Sequence, residues 1–202
     1  MPALWPTFIP AVGSYINSVT EGRTHADIAE KISSEYHNAV KTAMTSLHAN
    51  MVLSQPPYMP IKSAIKKSLD DIFDSEGKPN SSHFSDWANA TSAYWLATTM
   101  SPLPFHPLNM ALSTGTVGVP VPITHIINNG GVIPALQADL LTAFTHPPSS
   151  VPYGIPFATK LSKAFITHLS SVGGLQTEFV TGGSVVTPVP IGPVPQVWVG
   201  LV

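Results

Sequence analysis

Charged residues are nearly absent from the second half of this 202-residue sequence. Its last 103 residues contain four charged side chains, Asp139, Lys160, Lys163 and Glu178. The same stretch holds 14 of the 21 prolines and 11 of the 14 glycines. Soluble monomers usually carry ~25–35% charged residues on their surface, so we expect other protein to cover much of this half. The sequence therefore indicates a subunit of a larger assembly.

Other absences exclude several classes of site and partner. There is no cysteine, which excludes disulfides and thiolate metal sites. The nine Lys and Arg residues are scattered and the net charge is −2, so no basic cluster predicts binding to nucleic acid. No stretch approaches the ~20 apolar residues that span a bilayer, and the N-terminus lacks the pattern of a signal peptide. We expect no membrane partner, and a protein that is made in a cytoplasm and stays soluble until it assembles.

Hydrophobic periodicity predicts a helical domain over residues 24–175. Thr24 begins the clearest helix, with Asp27 in a capping-box position, and apolar residues then recur at three- and four-residue steps to Leu47. Helix start and stop signals predict four more helices, at residues 61–73, 81–95, 134–144 and 156–169. Short polar or proline-rich connections between helices are typical of a small bundle.

Proline-rich segments flank and interrupt this domain. Residues 1–23 are predicted as an N-terminal extended arm, because each of its prolines removes a backbone donor. Residues 101–133 form an extended Pro/Gly-rich interruption. Residues 176–202 form a C-terminal extended arm, with a strand at 177–180 and a turn at Gly182-Gly183. The predicted fold class is mainly α with extended or β segments (α+β), a helical bundle core with Pro-rich extended arms.

The extended segments carry the candidate interface residues. Trp5 and Trp198 lie in uncharged, proline-rich surroundings, where aromatic side chains act as anchors at protein contacts; packing on the chain's own core is the alternative. Proline lowers the entropy lost on docking, and unpaired backbone groups of an arm can add to a neighbour's sheet edge. The predicted interface comprises Trp5, Phe8, Pro120, Pro122, Pro188, Pro190 and Trp198. Trp87 and Trp95 lie on a helix and are predicted core residues.

No catalytic, cofactor or metal site is predicted. The eight histidines show no His-Glu-x-x-His spacing, and His25 with Asp27, or His83 with Asp86, lies at a helix start where capping explains the carboxylate. No Gly-x-Ser-x-Gly nucleophile turn occurs. We therefore expect a protein that is not an enzyme and holds no cofactor.

A Tyr-Trp step followed by proline-rich sequence carries a family resemblance. The segment Ala88-x-x-x-Ser92-Ala93-Tyr94-Trp95 precedes prolines 102, 104 and 107, Gly-Val-Pro-rich sequence and a helix at 157–166. This order, over about residues 25–175, resembles small virion structural proteins of large tailed phages. The resemblance implies a structural subunit of the virion, in the tail, baseplate or neck, that contacts other virion proteins and copies of itself. A capsid decoration or minor capsid protein, and a Ser/His hydrolase carried by the particle, are the alternatives.

Overall fold

A computed structural model describes residues 3–18, 23–43, 51–102, 124–145, 153–184 and 187–201. Those ranges contain six α-helices, a short 3-10 helix at Ser81–Phe84, and five strands. The helices are α1 (Trp5–Asn17), α2 (His25–Val40), α3 (Met59–Asp74), α4 (Ser85–Leu96), α5 (Ile133–Phe144) and α6 (Gly154–Leu169). The strands are β1 (Met51–Ser54), β2 (Thr99–Pro102), β3 (Thr124–Asn129), β4 (Gly173–Ser184) and β5 (Thr187–Val199). The predicted class, mainly α with β segments, is confirmed.

The six helices close into a ring around one core. Each helix packs on the next along the chain, and α6 returns to pack on α1. Phe165 of α6 lies in the centre, with its ring centroid 4.5 Å from that of Tyr36 on α2 and 6.2 Å from that of Trp87 on α4. Trp87 and Trp95 are fully buried, as predicted. The core therefore draws its aromatic side chains from helices far apart in sequence.

The predicted cap at the start of α2 is present. The Asp27 N–H donates to Thr24 Oγ1 at 3.3 Å, and the Thr24 N–H donates to Asp27 Oδ2 at 2.8 Å. These bonds satisfy two of the backbone donors that a helix N-terminus leaves free. The Thr24 N–H and then the Thr24 hydroxyl, both donating to the Asp27 carboxylate, lower the pKa of Asp27, because the ionised form is the better acceptor.

The N-terminal residues form helix α1, which corrects the predicted extended arm. Pro6 lies in the first turn of α1, where a backbone N–H has no intrahelical partner and proline is tolerated. Pro10 lies inside the helix and deprives it of one further donor. Burial of Phe8 and Val12 against the other helices compensates for that loss. Residues 24–175 are therefore not a self-contained helical domain.

Glycine allows α1 and α6 to approach at backbone distance. A Cβ on Gly13 would collide with the backbone of α6, and a Cβ on Gly154 would collide with the Gly13 carbonyl oxygen. The Gly154 N–H also donates to Asn17 Oδ1 at 2.5 Å. The contact closes the helical ring.

The strands form one antiparallel sheet in the order β1-β2-β3-β4-β5. The predicted strand at 177–180 lies within β4 and is confirmed. Gly182 and Gly183 pair with Val189 and Pro188, so the predicted turn is wrong and the connection falls between Ser184 and Thr187. Helix α6 ends at Leu169, and β4 begins at Gly173 and Gly174. The C-terminal segment is thus extended, as predicted, but it is paired within the chain.

Candidate interaction surfaces

The junction of β5 with α6 sets the hydrogen-bonding phase of β5. The Gly200 N–H donates to the Val172 carbonyl at 2.8 Å. Antiparallel positions alternate between pairs that exchange hydrogen bonds and pairs whose polar groups point away from each other. Because the Gly200 N–H points towards β4, the backbone polar groups of every second residue before it, at 198, 196, 194 and 192, also point towards β4. The backbone polar groups of residues 197, 195 and 193 point towards the open edge of the sheet.

Every proline of β5 falls on an outward position. The register pairs prolines 188, 190, 193 and 195 of β5 with residues 183, 181, 179 and 177 of β4. Pro190 and Pro193 are three residues apart, so in a regular strand their backbone groups would point to opposite sides. A register shift at 180/181 adds one residue to β5 between them, and both prolines therefore face the open edge. Since proline has no N–H, these positions keep the pairing with β4 intact and leave the open edge without donors there.

The proline positions change how this segment can dock. A strand added to the β5 edge would find no N–H donor at these four positions, which disfavours edge-to-edge pairing. This arrangement disfavours the strand addition expected in general of a proline-rich arm. A role for these two prolines in contacts made by a sheet face stays a prediction. Pro120 and Pro122 lie outside the described residues.

One face of β5 exposes two adjacent apolar side chains. Val197 is 73% exposed and Val199 is 58% exposed, whereas Trp198 between them is 1% exposed. The alternation follows from the pleat of a strand, in which successive side chains point to opposite faces. Neither valine is among the predicted interface residues, although the Val-Trp-Val alternation in the sequence indicates a strand with two different faces.

The predicted interface aromatics occupy different places. Phe8 and Trp198 are buried in the chain's own core, which corrects their prediction as interface residues. The Trp198 indole N–H has no hydrogen-bond partner among the described residues, so apolar packing is what holds it. Trp5 is half-buried, with its ring stacked 6.0 Å from Phe165, and its role at an interface stays a prediction.

A charged face covers α2 and α3. Every lysine of these two helices forms an ion pair within the described residues. Lys62 reaches Glu30 of α2 at 2.8 Å, and Lys67 contacts both Asp71 and Asp86 of α4. Exposed pairs of this kind contribute little to stability. These charged groups make the surface of α2 and α3, both from the first half of the sequence, a hydrated one.

A separate cleft of about 240 Å³ lies between α5 and α6. It is lined by Asp139, Thr142, Lys160, Lys163, Ala164 and Thr167. Three of the four charged residues of the last 103 thus line one cleft. In contrast to the lysines of α2 and α3, these three charged groups form no ion pair within the described part of the chain. The three-residue spacing of Lys160 and Lys163 was visible in the sequence; the pairing of helices that brings Asp139 to them was not.

A histidine–aspartate pair bears on the hydrolase alternative. His25 Nδ1 lies 2.8 Å from Asp70 Oδ1, and Lys66 holds the other carboxylate oxygen at 2.5 Å. Both partners lower the pKa of Asp70, Lys66 more strongly. Within the described ranges no hydroxyl group hydrogen-bonds to the remaining nitrogen of His25. The pair therefore lacks a placed nucleophile in the described ranges. Among the residues described, no three His, Asp or Glu side chains converge as a metal site.

Two hydrogen bonds between hydroxyl, indole and imidazole groups join α2 to α4. The Trp95 Nε1–H donates to the Tyr36 hydroxyl at 2.8 Å, and the Tyr94 hydroxyl hydrogen-bonds to His37 Nδ1 at 2.7 Å. Burial raises the pKa of Tyr36 and Tyr94 and lowers that of His37, which Lys41 lowers further. All four groups are held neutral at pH 7, so the network supports structure and supplies no activated nucleophile.

His168 is buried at the end of α6 without a hydrogen-bond partner for either ring nitrogen in the described structure. Its ring packs against Gly131. Glycine is required there because φ is +93° and because a Cβ would collide with the imidazole. Burial lowers the pKa of His168 to about 4, although the nearby Gly130 backbone opposes part of this effect. The neutral ring therefore packs the end of α6 against the turn that follows β3.

An apolar cavity of about 230 Å³ opens between α1, α2, α3, α5 and α6. Its lining consists of Ile16, Ile28, Ile32, Leu69, Phe144, Tyr153 and Phe157. The Tyr153 hydroxyl donates to the Ala143 carbonyl at 3.0 Å, and burial raises its pKa. This lining supplies no acid, base or nucleophile that is ionised at neutral pH.

Comparison with known proteins found no family model, no curated protein and no solved structure that matches this chain. In the part of the chain that the structure describes, every helix is too short or too polar to span a bilayer.

Proposed function

We propose that this chain is a non-enzymatic structural subunit of a tailed-phage particle, in the tail, baseplate or neck, where it joins other virion proteins and copies of itself. The exposed pair Val197 and Val199 carries the proposal, because it lies in a half of the sequence nearly free of charge. Exposed apolar patches on soluble proteins commonly mark contact surfaces. The resemblance of residues 25–175 to small virion proteins supports the class.

The contact is made by a sheet face, not by a free arm. Prolines at the outward positions of β5 disfavour strand addition at that edge, so its exposed valines offer the better route to a neighbour. The ion-paired face of α2 and α3 stays in solvent. A subunit with one solvated and one neutral side can assemble in a defined orientation.

Self-association of the isolated protein tests the proposal. We expect sedimentation velocity to show concentration-dependent association that the double variant Val197→Lys/Val199→Lys abolishes. Phe73→Lys is the matched control, since Phe73 is 72% exposed but lies on the charged side, and it should associate like the parent. A parent protein that stays monomeric at high concentration, whatever the salt, would contradict the assembly role.

The alternatives predict different observations. A capsid decoration or minor capsid protein would differ only in where immunogold labelling locates it on a particle. Among the described residues, the His25–Asp70 pair is the candidate base for a hydrolase, so ester hydrolysis that disappears in a folded His25→Gln variant would favour that alternative.

A further inference from the structure

The cleft between α5 and α6 gathers charge in the part of the sequence where charge is scarcest. Lys160 and Lys163 lie on one face of α6, and Asp139 lies opposite them on α5. On α3, by contrast, Lys66 is paired with Asp70 and Lys67 with Asp71. Two lysines and one carboxylate without mutual ion pairs leave both kinds of charge available to a ligand.

We propose that this cleft binds an acidic peptide segment of a partner protein. Lys160 and Lys163 bind a partner carboxylate, and Asp139 accepts hydrogen bonds from the N–H groups of the partner's backbone. The Thr142 and Thr167 hydroxyls flank this arrangement. The inference rests on the proposed function, because it names the chemistry of a partner that a virion subunit would hold.

A peptide fits this lining better than a phosphate group does. Phosphate sites commonly use arginine forks or the free N–H groups of a helix N-terminus. The cleft has no arginine in its lining, and Asp139, Lys160 and Lys163 lie within their helices, beyond the first turn. A phosphate dianion has no donor to offer Asp139, whereas the N–H groups of a peptide backbone can donate to it while the peptide's carboxylates bind the lysines.

The size and surroundings of the cleft favour one inserted side chain. Its volume of about 240 Å³ is below the ~300–1,000 Å³ of most small-molecule pockets. Ile166, 46% exposed, lies on the same helix and offers apolar contact beside the lysines. Because the whole chain carries a net charge of −2, an acidic peptide gains nothing from the overall field and depends on this local site.

Fluorescence anisotropy with a fluorescein-labelled tetraglutamate peptide tests the proposal. We expect the full chain to bind this peptide, and Lys160→Gln/Lys163→Gln to weaken binding by about tenfold or more. Lys66→Gln/Lys67→Gln is the matched control and should bind like the parent. Tetraglutamine should not bind, and raising the salt concentration should weaken the tetraglutamate complex. Unchanged circular dichroism melts establish that both double variants remain folded.

Three outcomes would overturn the proposal. The first is no binding of tetraglutamate by the folded parent at millimolar peptide. The second is an equal loss in the two double variants, which indicates nonspecific attraction. The third is displacement of the peptide by much lower concentrations of pyrophosphate or of a short single-stranded DNA, which indicates a phosphate site. Sedimentation of the same samples separates the two proposals, since a monomeric parent that binds tetraglutamate refutes the assembly role alone.

Discussion

Replacing His168 should remove much of the acid sensitivity of the fold. The imidazole is 2% exposed, and neither nitrogen has a hydrogen-bond partner in the described residues. A charged ring there would lose its hydration, and the Gly130 backbone would compensate for only part of that loss. No charged side chain of the described structure contributes to the lowering of its pKa, which is therefore an effect of burial.

The direction and size of the effect follow from proton linkage. The unfolded chain binds a proton at His168 near the ordinary pKa of 6.5, whereas the folded chain binds it only near pH 4. Stability therefore falls as the pH decreases from about 6.5 to about 4, and then levels off for this group. The interval corresponds to about 3 kcal/mol, at ~1.4 kcal/mol for each pH unit.

Urea unfolding at pH 7.5 and pH 4.5 measures this contribution. We expect the free energy of unfolding to fall less between the two pH values in His168→Leu and His168→Gln than in the parent. The two variants differ in polarity but share the loss of the titrating group, so both should show the reduced pH dependence. His37, whose pKa burial also lowers, acts in the same direction in all three proteins and cancels in the comparison. Equal pH dependence in parent and variants would refute the reasoning.

Substitutions elsewhere in the core have equally definite expected outcomes. Trp198→Ala should lower the free energy of unfolding by ~3–5 kcal/mol in a urea titration, because it removes a buried large aromatic; a melt like the parent's would contradict its burial. Trp95→Phe should cost about 1–3 kcal/mol by leaving the buried Tyr36 hydroxyl without its donor, and adding Tyr36→Phe should recover part of that loss. Gly154→Ala should cost ~1–3 kcal/mol, because its Cβ overlaps the Gly13 carbonyl; an unchanged melting temperature would show that α1 and α6 are not in backbone contact.

Helix positions were predictable where a periodic apolar face coincided with a local start signal. The Thr24 cap and Pro134 at the first turn of α5 are examples, because both depend only on nearby residues. Helix α1 is not predicted from the sequence because Pro6 and Pro10 each remove a backbone donor. Pro6 lies in the first turn, where proline is tolerated, and the burial of Phe8 outweighs the donor lost at Pro10. Burial is a property of the whole fold.

The sheet and the cleft depend on contacts that no local pattern specifies. The four prolines between residues 188 and 195 look incompatible with a paired strand. The register shift places all of them at positions that face away from β4, where no N–H is needed for pairing. Asp139 lies about twenty residues from Lys160 and becomes its neighbour only because α5 packs on α6. The sequence shows that charged residues are scarce in this half, but it does not show that three of them line one cleft.

The contact between α1 and α6 also sets the order of folding. Asn17 and Gly154, which share a hydrogen bond, are 137 residues apart in sequence. Joining them costs loop entropy that the neighbouring pair α2 and α3 does not incur. We therefore expect the ring of helices to close late, after local helix pairs have formed. Mutations at the α1–α6 contact should then speed unfolding while leaving the refolding rate nearly unchanged.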